Sequence, residues 1–333
     1  MPEPTPPSPK RRGRLFRFGA ALVVLCALAG YLVVQYVTGG TRTPACKVVA
    51  NGNDRTSYRF TPEQAVNAAT ITAVGTGRGV SERAVAIALA TALQESGLRN
   101  LGHGDRDSLG LFQQRPSQGW GTDKQIMDPA YAASMFYDHL VKVRDYERLP
   151  LTVAAQRVQR SGYPEAYAKH EPDATLLAAA LTGRSAATLT CQGRPTAGVE
   201  AAALATGADA VRTALVRDFG PRDTLEEAGA EVGGSKRPSP APTVTARAKG
   251  RTVTVPVPEG ARTDAAGRTE LERGWQLAHW AVANSSALRI QRVSYAGREW
   301  SAGSTDSRWR PVVSQGAAGA ERAAGSVRIV TGQ

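Results

Sequence analysis

Histidine, methionine and cysteine are scarce in this 333-residue chain, at four, three and three respectively. So few soft or imidazole side chains leave little for metal handling. The histidines at 103, 139, 170 and 279 are scattered, so no zinc-ligand spacing is present and no metal or cofactor is expected. Acids are outnumbered, 29 against 41 lysines and arginines, for a net charge of +12. That charge is spread along the chain, and no nucleic-acid recognition motif accompanies it. Nucleic acid is therefore not an expected partner, whereas anionic headgroups and acidic wall polymers suit the balance. No internal repeat is found.

What is present begins with one long apolar run. Residues 16–38, FRFGAALVVLCALAGYLVVQYVT, carry a charge only at Arg17, and about twenty uncharged residues suffice to cross a bilayer as a helix. Lys10, Arg11, Arg12 and Arg14 also precede the run, while Arg42 and Lys47 follow it. The positive-inside rule then predicts a cytoplasmic N-terminus and an extracellular bulk. The apolar run continues past Ala27-Leu28-Ala29, which favours an uncleaved anchor over a signal peptide. Residues 1–15, opening with PEPTPPSP, are expected to be a disordered cytoplasmic tail. One span cannot form a pore alone, which argues against a transporter.

With Cys26 inside the predicted span, Cys46 and Cys191 are the pair left on the oxidising side, and a disulfide between them is expected. It would bracket a first domain at 46–191. Thr61-Pro62-Glu63 opens a predicted helix to about Val74, and Ser81 caps the next. Residues 100–128 lack a period and read as irregular, with a short extended piece at 111–113; helices resume over 129–143, 151–159 and 173–181. A second domain is expected over 199–333. It has one or two alanine-rich helices at 199–216, a hairpin of 243–247 with 251–257, a helix at 271–283, and strands at 290–295, around Trp300 and at 326–330. The fold class is thus α+β and multidomain: a mainly α domain and a small α/β domain, preceded by one transmembrane helix.

Glu95 is the candidate catalytic residue. It is the only ionisable side chain between Arg83 and Arg99 and closes the apolar run Ala84 to Leu93, just before Gly97. A helix apolar all round is a buried helix. Desolvation and the negative end of the helix dipole would both raise the pKa of this carboxyl group. A carboxylic acid protonated near neutral pH is a general acid, as glycosidic bond cleavage requires.

The motifs ALQESGL (92–98) and GLFQQRPSQGWGT (110–122) together resemble the lysozyme-like soluble lytic transglycosylases. The matching positions are Glu95, Ser96, Gly97, Gly110, Leu111 and Gln113, with Phe112 where that family usually has Met. The Asp105-Arg106-Asp107 insertion departs from the commonest spacing and is closer to actinobacterial wall-lytic proteins. The resemblance implies a catalytic Glu95, a glycan cleft lined by Gln113, and cleavage of the β-1,4 bond between N-acetylmuramic acid and N-acetylglucosamine in peptidoglycan. Phe112, Trp120 and Tyr167 (or Tyr163) are candidate sugar contacts, and Ser108 a candidate for orienting an acetamido group. Asp105 and Asp107 are either the second carboxylate or turn formers that bond local amides. Pro116 stands where a calcium loop would need its closing acid.

Residues 274–300 resemble the later part of extracellular D-alanyl-D-alanine carboxypeptidase-like domains. Those bind zinc through His-x-His on the last strand, where this chain has Ser326-Val327-Arg328-Ile329-Val330. A zinc-less unit that binds wall peptide or a cell-wall protein is expected, or else a folded appendage. Two functions remain open: a membrane-anchored lytic transglycosylase or muramidase, and an inactive wall-binding or scaffold protein.

Overall fold

The computed structural model describes residues 25–26, 29–30, 45–52, 56–192, 207–220, 246–257, 263–264, 267–303, 308–312 and 325–332. The expected tail at 1–15 lies outside them. So does the expected membrane span at 16–38, apart from Leu25, Cys26, Ala29 and Gly30, which are helical. Among the described residues no helix is long and apolar enough to cross a membrane. The chain divides into two units, Met1–Thr43 and Pro44–Gln333, and everything below concerns the second. It mixes helices with two antiparallel sheets.

Its helical part is built around one buried rod. Helix α1, Pro62–Gly77, starts at a capping box in which Thr61 and Gln64 each satisfy the other's backbone N–H. Helix α2, Glu82–Ser96, starts at Ser81, and its ten residues from Ala84 to Leu93 are all buried. Short α3 (Asp123–Ile126) leads to α4 (Pro129–Leu140), α5 (Leu151–Gln159) and α6 (Glu171–Leu181). Of these α1, α4, α5 and α6 all pack against α2. An apolar circumference needs such a ring of neighbours, because any side left open would expose alanine and leucine to water. Close approach of α1 and α4 depends on Gly75. A Cβ there would stand 2.6 Å from the Tyr137 ring, and Tyr137 donates from its buried hydroxyl to Ile71 O at 3.1 Å.

Three strands close this part: β1 (Cys46–Val49) lies between β2 (Ser57–Phe60) and β3 (Leu189–Cys191). Cys46 is directly opposite Cys191 in the register, and the two form the expected disulfide. Its sequence separation of 145 means that, on the chain-entropy model, cross-linking stabilises the fold by about 5 kcal/mol.

The remaining elements are α7 (Ala208–Phe219), α8 (Glu270–Ala283) and a six-stranded sheet. The sheet comprises β4 (Arg247–Lys249), β5 (Thr252–Pro256), β6 (Ile290–Tyr295), β7 (Arg298–Ser301), β8 (Arg310–Pro311) and β9 (Ser326–Thr331), in the order β4-β5-β9-β6-β7-β8. The β4–β5 hairpin turns at Gly250-Arg251, so Ala248 and Lys249, expected in the turn, belong to the strand. Of the expected alanine-rich helices, residues 199–206 lie outside the described set, and α7 begins at Ala208.

Helix α8 packs on β6 and β9 with one face and on α1, α6 and β3 with others. Two of its polar side chains serve that second contact. Gln276 donates to Thr76 Oγ1 at 2.5 Å, and His279 Nδ1 meets Ala180 O at 2.7 Å. Fully buried, His279 has its pKa pushed down to about 4 by desolvation, so it is neutral at physiological pH and packs between Trp275 and Trp309. Asp218 of α7 is the deepest link. Its carboxylate accepts from Trp280 Nε1 of α8 at 2.8 Å, from Thr70 Oγ1 of α1 at 3.3 Å and from Arg217 Nε at 2.7 Å. Removing it leaves buried donors unmet. Asp218→Ala is expected to lower unfolding stability by about 3 kcal/mol in chemical denaturation, and Asp218→Asn, which keeps an acceptor oxygen, by less.

Candidate functional site

Glu95 sits one residue before the end of α2, and that end is fixed from three directions. Gly97 adopts a left-handed conformation (φ 62°), and Leu98 follows it (φ 58°). Gly97 N–H donates to Leu93 O and Leu98 N–H to Ala92 O, both at 3.0 Å, so the helix closes on a left-handed cap that satisfies carbonyls of its last turns. From α1, the Gln64 side chain donates to Gly97 O and Asn67 to Leu98 O, each at 2.8 Å. The Ser96 hydroxyl lies 3.0 Å from Ala92 O and 2.8 Å from Leu111 O, bringing the helix end against the second motif.

That second motif is a turn. Leu109 and Gln114 exchange backbone hydrogen bonds at 2.9 and 3.0 Å, with residues 111–113 folded between them. The extended piece expected at 111–113 is thereby corrected. Gly110 (φ 75°) has no room for a side chain, since a Cβ would stand 2.7 Å from Ile126 O, and Gln113 itself lies at φ 47°. Left-handed residues at both ends bend the chain back.

Tyr167 and Gln159 define the surroundings of the Glu95 carboxyl. Tyr167 Oη donates to Glu95 Oε1 at 2.7 Å. Gln159, at the end of α5, stands beside the carboxylate and favours its charged form, while its Nε2 donates to Phe112 O at 2.7 Å and so joins the acid to the turn. Burial raises the Glu95 pKa above the ordinary glutamate value; the hydrogen bonds from Tyr167 and Gln159 favour the ionised form and pull the other way. Tyr167 itself is buried, and desolvation together with the Glu95 charge holds its phenol protonated. It is a fixed donor to the acid.

The other candidate residues are placed differently. Gln113 is half-buried and folds its amide back toward Gly110 O at 3.3 Å, lying on Gly104, where a Cβ would come within 1.8 Å of Gln113 Oε1. Phe112 has no exposed surface and stacks on Phe136 with centroids 4.7 Å apart, so it is a core residue rather than a sugar platform. Trp120, expected in the cleft, is 9% exposed and lies against the His139 ring at 4.2 Å. Ser108 is buried, with its N–H donating to Asp105 O at 3.1 Å. Tyr163 is exposed.

Asp107 accepts from Arg115 Nε at 2.6 Å and from Ser117 N–H at 2.9 Å; the Ser117 side chain first, then its N–H and Arg115, hold the Asp107 carboxyl well below the usual carboxylate range. It clamps the loop through residues eight and ten positions away, whereas the turn-forming alternative expected bonds to local amides. Asp105 is exposed, and its backbone carbonyl closes the same loop. Gln159 was not found by sequence reasoning. It lies far from both motifs, and no spacing links a glutamine late in one helix to an acid late in another.

A cleft of about 480 Å³ opens elsewhere, lined by Cys46, Lys47, Arg59, Thr190 and Arg308 among others. Glu95 is not among its lining residues. Among the described residues no cluster of three or more His, Cys, Asp or Glu side chains is arranged to hold a metal ion.

Residues 207–322 match the family model described as VldE, C-terminal domain. No curated protein matches the chain. The matched stretch takes in α7, α8 and strands β4 to β8 and overlaps the segment that resembles carboxypeptidase-like domains. It leaves Glu95, Gln159 and Tyr167 outside.

A buried acid with a raised pKa contributes stability while protonated and loses that contribution as pH rises through its folded-state pKa. Glu95→Gln keeps the shape without the charge. It is expected to raise the melting temperature at pH 8 relative to the parent, with the gain shrinking toward zero at pH 4 in thermal unfolding monitored by circular dichroism.

Proposed function

We propose that this protein cleaves the β-1,4 glycosidic bond between N-acetylmuramic acid and N-acetylglucosamine in peptidoglycan, with Glu95 as general acid and then general base. The observation that carries the reading is the half-buried Glu95 carboxyl, raised in pKa and held by Tyr167 at 2.7 Å on an anchored helix end. The local resemblance of 92–98 and 110–122 to lysozyme-like lytic transglycosylases supplies the substrate class.

The chemistry follows from the hydrogen bonds. With Tyr167 donating to Oε1, a proton on Glu95 resides on Oε2 and is presented to the leaving glycosidic oxygen. As the bond breaks, negative charge develops on Glu95, and the donors Tyr167 and Gln159 stabilise it. The ionised Glu95 then removes a proton. Taken from the muramyl C6 hydroxyl, it yields a 1,6-anhydro end; taken from water, it yields hydrolysis. Asp107, bound to Arg115 and Ser117, serves the loop and not the sugar in this scheme.

The proposal includes a lysozyme-like fold for the helical part, anchoring through residues 16–38 and an extracellular location. The Cys46–Cys191 disulfide supports that location, because such bonds persist in oxidising compartments.

The direct test incubates the full-length protein and its Glu95→Gln variant with purified sacculi and identifies released muropeptides by mass spectrometry. The parent is expected to release anhydro or reducing products, and the variant at least about a hundredfold less. No release by a folded parent protein would sink the enzyme reading and leave the wall-binding one. Tyr167→Phe offers a second check. Losing a donor that favours ionised Glu95 raises the pKa of the acid further, so the alkaline limb of the pH–rate profile is expected to move to higher pH while maximal turnover falls.

A further inference from the structure

Strand register gathers charge on the outer face of the three-stranded sheet. Lys47 of β1 is directly opposite Arg59 of β2 on one side and Thr190 of β3 on the other. The three form one row on the same face, while their neighbours Cys46, Val48 and Phe60 turn inward and are buried. Directly opposed side chains on neighbouring strands stand about 5 Å apart at Cβ, and two like charges there repel. Among the described residues neither Lys47 nor Arg59 has an acidic partner. Two cations set together with no counterion among the described residues favour an anion at that place.

The row floors the cleft of about 480 Å³, whose lining also includes Arg308, Thr188 and Gln192 and, among the described residues, contains no acid. Arg308 is held at the edge because its neighbour Trp309 is anchored, the indole donating to Leu189 O at 2.9 Å. The adjoining cleft shares Arg308 and contains Glu299, but that carboxylate is engaged by Arg292 at 3.3 Å and Ser294 at 3.0 Å.

We propose that this cleft binds a phosphate ester of a sugar or polyol. Two arginines and a lysine supply forked and point-charge donors to phosphate oxygens, and Gln192 supplies a neutral donor and Thr190, whose own proton goes to Lys47 O, an acceptor oxygen for hydroxyl groups. Its volume is far more than one bare anion fills and falls within the range of small-molecule sites, about 300–1,000 Å³. A recessed site also fits a discrete ester better than a flat membrane surface. This inference stands apart from Glu95 chemistry.

The test is calorimetric titration of the full-length protein with glycerol 3-phosphate, with a short phosphodiester-linked glycerol phosphate oligomer and with inorganic phosphate. Saturable binding of glycerol 3-phosphate is expected, weakened about tenfold by Lys47→Ala and by Arg59→Ala. Lys142→Ala, which removes an exposed lysine elsewhere, is expected to leave it unchanged. Tighter binding of the oligomer than of the monoester identifies a polymer as the source, and the reverse order a free phosphate ester. Thermal unfolding shows that each variant folds, and the two cleft variants are expected to be no less stable, since each relieves a repulsion. The proposal is overturned by absence of saturable binding, by equal weakening in Lys142→Ala, or by binding confined to anionic phospholipid vesicles.

Discussion

The left-handed turn at Gly97 and Leu98 is the constraint on which the acid site depends. It stops α2 one residue after Glu95, and its two carbonyls are held by Gln64 and Asn67 from α1. An ordinary frayed helix end would let Glu95 swing into solvent and return to a normal carboxylate. Here the backbone around it is pinned by side-chain amides and by Ser96, which reaches the 109–114 turn. Burial of the acid is thus a product of α2 being surrounded and of its end being tied.

The same economy of polar groups governs the contact between the helical part and the C-terminal elements. Thr70, Thr76 and Ala180 O present buried polar atoms, and Asp218, Gln276 and His279 meet them. Once those pairs form, separating the elements would expose apolar surface and orphan several donors together. That explains why 44–333 is one compact unit although composition changes sharply after Cys191.

Some of this was legible in the residues and some was not. Thr61, Ser81 and Gly97 mark their helix ends because capping is local chemistry, readable within four residues. The disulfide was legible by elimination. The 111–113 segment was not, because a turn built on left-handed Gln113 uses a conformation that glutamine rarely adopts and that no letter announces. Phe112 and Trp120 looked like sugar contacts because aromatic rings suit both a cleft and a core; only their packing on Phe136 and His139 decides between the two.

By itself the sequence determined the helix ends marked by Thr61, Ser81 and Gly97, which cysteines pair, and that one carboxyl group lies at the end of an apolar helix. These are properties of neighbours along the chain. Tertiary structure alone decided that Tyr167 and Gln159 attend Glu95, that Asp107 serves a loop, and that Lys47, Arg59 and Arg308 share a cleft. Each of those groupings joins residues distant in sequence, and a hydrogen bond or a charge repulsion depends on separation in space, which strand register and helix packing set.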